Sequence, residues 1–415
     1  MSIEKQEIAK RKQCIELYKA DKSPTEIHQE LHRSRPWVYK WIHRYKSGDP
    51  QWCLDQSKAP KTHPLKINDS VETEIIRIRQ TLIKRDTAST RYAYHGAIAI
   101  HQELQKNGHK GLPHISTINR VLKRNGLIKH THSEPTSNKS GIYYPEKYAK
   151  HPSDIYELDL VTPRYIKGFG RIISVNRVDT YLGEANMKQY LEKAADNIVE
   201  FIVSDWTKHA KPNYLRLDNE ACFRGSLIHE RTFGKLVRFC LNFGVQIIFI
   251  PFREPWRNGF IESFNSRFKA MLWEFMQFDD LNHLREESKL FLQKHNEYQR
   301  YKKLNFSNRN LISYQKKRFP DEFNFKTEVQ LPITKGFIHI IRFVNEKGCV
   351  NILNEDFYIG KTYSFCYIWG TIDTAKQQLF IYFKSDKLAP RILIKIFDYS
   401  LRESVEIPIP INHFI

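Results

Sequence analysis

Between Ile8 and Tyr45 apolar residues recur at helical spacing in three short runs. The runs break at Lys22-Ser23-Pro24 and Ser34-Arg35-Pro36, where a capping residue precedes a proline at the next helix start. This is helix-turn-helix punctuation, and it predicts a first domain over residues 1–50. Its last helix, Pro36 to Tyr45, buries Val38, Trp41 and Ile42 and leaves Arg35, Tyr39, Lys40 and Arg44 outside, a set suited to a DNA groove. A proline-bearing linker around 55–61 leads into a second helical set, from about Asp69 to Asn125, which predicts a second helix-turn-helix-like domain over 65–130. In its final helix Ile115, Ile118, Val121 and Leu122 form the buried stripe; Ser116, Thr117, Arg120 and Lys123 face out, and Gly126 stops the helix. Each set alone also reads as a helical bundle with a solvated basic face. Two in tandem favour DNA binding.

Residues 131–150 are polar, with Pro135, Ser137, Ser140 and Gly141, and read as a linker. The pattern then changes period. Strands are predicted at Ile155–Val161, Arg171–Val178, Glu184–Tyr190, Tyr214–Leu217 and Val245–Ile250, with helices at Ala194–His209 and Leu227–Asn242 between them. Long helices follow at about Asn258–Phe275 and Leu281–Tyr298, so that 151–305 reads as an α/β domain. From 330 to 405 short β-rich runs alternate with Asn, Gly and Lys turns, which predicts a small β-barrel.

Composition changes this picture in one direction. The 415 residues carry 66 Lys and Arg against 46 Asp and Glu, a net charge of +20, and about +13 of it lies in residues 1–150. A polyanion is the expected partner, reached through the helical modules. The start, Met1-Ser2-Ile3-Glu4-Lys5, has no signal-peptide character and no apolar run is long enough to span a membrane, so a soluble, non-secreted, cytoplasmic protein is expected. The six cysteines have no paired spacing, and His28 and His32 lack the companion cysteines of a zinc site.

Three acids stand out by their positions. Asp159 lies inside the first strand of the α/β domain, with Leu158 and Leu160 alternating to the other face. Asp218 ends the fourth strand, at the carboxyl edge where open α/β sheets place ligands. Glu262 opens a helix on which Asn265, Ser266 and Lys269 share its face, a pairing of a metal-binding acid with groups able to hold DNA phosphate. Singly, Asp218-Asn219 reads equally well as a turn and Glu262 as an acid favoured by the helix dipole. Asp159 in an apolar strand has no such comfortable alternative. Gathered carboxylates repel, and a divalent cation relieves them; two such ions suit phosphoryl displacement. There is no Gly-rich phosphate loop and no Gly-x-Ser-x-Gly elbow.

Glu157-Leu158-Asp159, Val178-Asp179-Thr180, Leu217-Asp218-Asn219, the string Asn258-Gly259-Phe260-Ile261-Glu262-Ser263-Phe264-Asn265 and His295-Asn296-Glu297-Tyr298-Gln299-Arg300 together resemble the insertion-sequence transposases, whose catalytic core is like that of retroviral integrases. The resemblance covers about 155–300. It implies a multidomain chain: all-α helix-turn-helix modules, a ribonuclease-H-like core with a mixed five-stranded sheet, and a small C-terminal barrel. It further implies Asp159, Asp218 and Glu262 as the catalytic, metal-binding triad for two Mg²⁺ or Mn²⁺ ions. The implied activity is hydrolysis at the ends of a mobile element of prokaryotic type, then attack of the freed 3′-hydroxyl on target DNA. Implied partners are the terminal inverted repeats, target DNA and further copies of the chain. A catalytically silent or domesticated DNA-binding protein is the alternative. The sequence departs from the family pattern in two ways: the gap from Asp218 to Glu262 is long, about 43 residues, and Glu220-Ala221 stands where Gly is frequent after Asp-Asn. The extra length points to an insertion near Gly225–Gly234, with Glu220 and Glu157 as outer acids.

Overall fold

The computed structural model describes residues 3–56, 67–128, 142–226, 228–307 and 317–415. Most of the linker expected at 131–150, and part of the one at 55–61, lies outside them. The chain forms two compact units, Met1–Asn68 and Asp69–Ile415.

The first unit is three helices, α1 (Ile3–Lys19), α2 (Pro24–Leu31) and α3 (Arg35–Lys46). Ser23 and Glu26 form a reciprocal capping box at the start of α2, and Pro24 sits where a missing N–H costs nothing. Cys14, Ile15, Ile27, Leu31, Val38 and Ile42 close the core.

In the second unit α4 (Asp69–Lys84), α5 (Ala97–Lys106) and α6 (Ile115–Arg124) precede β1 (Ile155–Ile166), β2 (Gly170–Asp179), β3 (Ala185–Tyr190), α7 (Ala195–Lys208), β4 (Tyr214–Leu217), α8 (Ala221–Arg224), α9 (Lys235–Asn242) and β5 (Gln246–Phe249). There follow α10 (Gly259–Phe268), a π-helical turn (Lys269–Trp273) and α11 (Leu281–Phe306). Strands β1–β3 form an antiparallel meander, with β4 and β5 added parallel to β1. This is the mixed five-stranded sheet of a ribonuclease-H-like core. Helices α7 and α9 cover one face with Leu158, Val175, Leu217 and Ile247, while α10 and α11 cover the other with Val161, Ile172 and Val178. The connection before α5 is bound to α11, with the Tyr92 hydroxyl donating to Glu287 at 2.5 Å and Tyr94 stacked on Tyr298 at 3.7 Å. The second helical set therefore belongs to the same compact unit as the sheet.

The C-terminal region is β-rich as expected, but its strands do not make a separate closed barrel. After β6 (Ile333–Thr334), β7 (Phe337–Phe343) pairs parallel to β5. Beyond a hairpin of β8 (Cys349–Ile352) and β9 (Glu355–Tyr358), the strands β10 (Tyr367–Asp373), β11 (Gln378–Phe383) and β12 (Ile392–Asp398) continue the same sheet; β13 (Val405–Glu406) pairs with β6. The result is one nine-stranded sheet in the order β12-β11-β10-β7-β5-β4-β1-β2-β3. The reason lies in β5. Ile247 packs toward α7 and α9 while Ile248 packs against Ile341, Tyr367 and Trp369, so the strand is dry on both faces and its outer edge needs a partner.

The helix expected over Leu227–Asn242 is also corrected: it is α9 alone, preceded by the short α8. Gly225 has φ +102°, and a Cβ there would lie 2.4 Å from the Gly234 nitrogen, so Gly234, inside the expected helix, is held against the backbone of Gly225 and α9 starts only after it. The described residues between α8 and α9 form a pinched excursion, tied with α8 to the β8–β9 hairpin by Arg231–Glu355 and Arg224–Asn354 bonds.

Candidate active site

Strand alternation puts Glu157 and Asp159 on the α10 side of β1. Both are used to dock that helix. Glu157, fully buried, accepts the Ile261 N–H in the first turn of α10 at 2.8 Å and pairs with Arg216 of β4 at 2.9 Å. Asp159 lies opposite Asn176 of β2, and the two share Asn265: the Asn265 amide donates to Asp159 at 2.8 Å and accepts from Asn176 at 2.7 Å. Ser174 in turn donates to Asn176. Glu262 precedes Asn265 by one helical turn, so the same bond that orients Asp159 fixes where Glu262 can reach. Asp218 leaves β4 in a tight turn, its carboxylate accepting the Glu220 N–H at 3.0 Å, while Asn219 donates to Ile250 O at the end of β5.

The acids feel one another. Burial, followed by the charges of Asp218, Glu262 and Glu220, pushes the Asp159 carboxyl up to about 7. Asp218 rises to about 6 through burial and the charges of Glu220 and Glu262, opposed by the Glu220 N–H and by Lys193. Lys193 is itself paired with Glu220. Among the described residues no three of His, Cys, Asp and Glu stand close enough to hold a metal ion as they are. The donor chemistry nonetheless fits a hard cation: carboxylates on three elements, two of them raised first by burial and then by the neighbouring negative charges. A cleft of about 260 Å³ opens beside Asp218, lined by Asn219, Glu220, Phe252, Arg253 and Glu254. A larger cavity, about 490 Å³, lies along α10 by Trp256, Phe260 and Arg267 and is lined by none of the three acids, so cavity size does not mark the candidate site.

Other expected contact residues divide into two groups. Arg35, Tyr39 and Lys40 on α3 are exposed, as are Ser116, Arg120 and Lys123 on α6, with Thr117 half-buried. Lys269 is half-buried where α10 passes into the π-helical turn. Two of the residues expected to meet DNA are engaged within the protein. Arg44 donates to Leu54 O and Gln56 and lies over Trp41, so its guanidinium is engaged inside its own domain. Asn265 is 2 % exposed with both amide ends bonded, so it holds Asp159 and is closed to DNA phosphate. Sequence reasoning missed Asn176, although a buried Asn in an apolar strand carries the same signal that singled out Asp159. No helix among the described residues is long and apolar enough to cross a membrane.

Residues 5–53 match the model of the homeodomain-like domain, and residues 243–305 match that of the integrase core domain. No curated protein sequence matches the chain. Among solved structures, the magnesium complex of the HTLV-2 integrase catalytic core (dimeric form) aligns over 38% of this chain and 90% of its own, at 18% identity and TM-score 0.25. A chain of the simian T-cell lymphotropic virus intasome, solved in complex with PP2A regulatory subunit B56 gamma, aligns over 73% of this chain and 96% of its own, at 12% identity and TM-score 0.30. The BIV integrase catalytic core aligns over 40% and 90%, at 14% identity and TM-score 0.23.

Proposed function

We propose that this chain, in which a homeodomain-like domain precedes an integrase core, is a transposase that binds the terminal inverted repeats of a mobile element, cuts the element ends and joins them to target DNA. The observation that carries this reading is geometric: Asp159 on β1 is bonded through Asn265 to the helix that carries Glu262, and Asp218 follows β4, the strand paired with β1. These three would hold Mg²⁺ or Mn²⁺. Bound there, two ions would supply the counter-charge and Lewis acidity that phosphoryl transfer needs. The chain's own groups do the rest. Asn265 fixes one Asp159 oxygen, Glu157 fixes the helix that carries Glu262, and Lys269, two turns along, would hold a backbone phosphate. The exposed residues of α3 and α6 would grip the repeats, with further copies of the chain completing a synaptic assembly in the nucleoid. The test is incubation with linear DNA ending in the element's repeats, a target plasmid and Mg²⁺. Nicked ends and joined products are expected; firm binding to the repeats with no cutting in either Mg²⁺ or Mn²⁺ would instead show a silent DNA-binding protein.

Protons compete with the cation for these acids. With Asp159 near 7 and Asp218 near 6 in the metal-free site, low pH holds both partly protonated and weakens binding. Mn²⁺ affinity, followed by calorimetry, should rise at least about tenfold per pH unit below about 6 and level off above about 8. An affinity flat across that range would remove these carboxylates from the metal site.

On α3 the structure separates two kinds of arginine. Arg35→Ala combined with Lys40→Ala should weaken repeat binding about tenfold and lower the salt dependence by about two ions. Arg44→Ala should lower the melting temperature of the domain and leave the salt slope unchanged. Equal slopes for the double variant and the wild type would show that α3 does not meet DNA phosphate.

A further inference from the structure

We infer that the C-terminal extension of the sheet is part of the catalytic site, with Arg342 of β7 and Tyr367 of β10 as positioning residues for the two segments that present Asp218 and Glu262; this rests on the function proposed above. Arg342 is 3 % exposed, and no carboxylate among the described residues pairs with it. A buried guanidinium without a counter-charge is costly, so packing alone gives no reason to keep it. Its donors go to Asn219 Oδ1 at 2.6 Å, next to Asp218, to Ile250 O at 2.8 Å and to Ile341 O at 2.9 Å. Asn219 donates to the same Ile250 oxygen, so the end of β4, the end of β5 and β7 are locked in one triangle of bonds. Tyr367 of the neighbouring strand pairs with Phe343, the residue after Arg342, and faces the other side of the sheet. Its hydroxyl meets both oxygens of the buried Glu254 carboxylate, at 2.7 and 2.8 Å, in the segment that runs into α10. Arg257 of that segment also reaches Glu254 and lies 3.8 Å over the Tyr144 ring. Apolar pairing of β5 with β7 already docks the extension, so these polar contacts add something specific: they hold the approaches to two acids from one rigid sheet.

The experiment uses the full-length chain with Arg342→Met, Asn219→Ala, their combination, and Tyr367→Phe, which is nearly isosteric. Measured are kcat and KM on repeat-ended DNA, Mn²⁺ binding without DNA, and thermal melting. Arg342→Met should lower kcat about 30-fold with KM within about twofold, and weaken Mn²⁺ binding about tenfold. Tyr367→Phe should lower kcat about fivefold at an unchanged melting temperature. The double variant should lose less than the product of the two single losses, because both changes break the shared Arg342–Asn219 bond. Losses that merely multiply, or kcat and Mn²⁺ affinity within about twofold of wild type per folded molecule, would overturn the inference. If the wild type binds Mn²⁺ through Asp218 but never cuts DNA, the transposase reading fails, and the Mn²⁺ titrations alone decide whether the extension positions the acids.

Discussion

Asp218→Asn should abolish end cleavage and strand transfer, by at least about a thousandfold, while leaving the fold and repeat binding intact. The substitution separates the two roles open to this residue. As a turn former, Asp218 needs only an oxygen to accept the Glu220 N–H at 3.0 Å, and an asparagine supplies that oxygen unchanged. As a ligand to a divalent cation it needs the charge, which an amide lacks. Metal affinity should therefore fall with the activity, and the melting temperature of the metal-free protein should hold or rise, because a buried acid repelled by Glu220 and Glu262 has been neutralised. Asp159→Asn and Glu262→Gln should behave alike in the transfer assay. Full strand transfer by Asp218→Asn would reduce the residue to its turn and dismantle the triad.

The core was legible because its signals are local. An Asp in an apolar strand, an Asp at a strand end and a Glu in the first turn of a helix each follow from alternation and spacing, and the strands that carry them lie within a residue or two of expectation, apart from a longer β1 and a slightly shorter β5. What failed to show was pairing at a distance. Helical spacing places Asn265 on the face of Glu262, but spacing does not say whether that face meets solvent or a strand, and here it meets Asp159 and Asn176. The alternation in Phe337–Phe343 announces a strand without naming its neighbour, so a separate barrel was as consistent with it as an extension of β5. Gly225 and Gly234 were visible as glycines, yet only their contact explains why no helix joins them. Arg342 gives no local signal at all, since its meaning comes entirely from Asn219 and Ile250, each about 90 or more residues away in sequence.

Glu157→Leu should cost about 3 kcal/mol of stability and slow strand transfer about tenfold more than unfolding explains. Burial drives the Glu157 carboxyl above its ordinary range, while Arg216 and the Ile261 N–H pull the other way, so the charged pair is kept at a cost. Removing only the acid leaves Arg216, a side chain 5 % exposed, with Glu146 at 3.3 Å as its one remaining carboxylate among the described residues. Adding Arg216→Met removes the stranded charge and should recover at least half of the lost stability, read from urea midpoints. Activity should not return with it. The Ile261 N–H would still lack its acceptor, and α10 would have lost the one charge-assisted bond that sets its start against β1. A double variant regaining both stability and transfer rate would mean that Glu157 serves folding alone, and that the bond from Asn265 to Asp159 suffices to place Glu262.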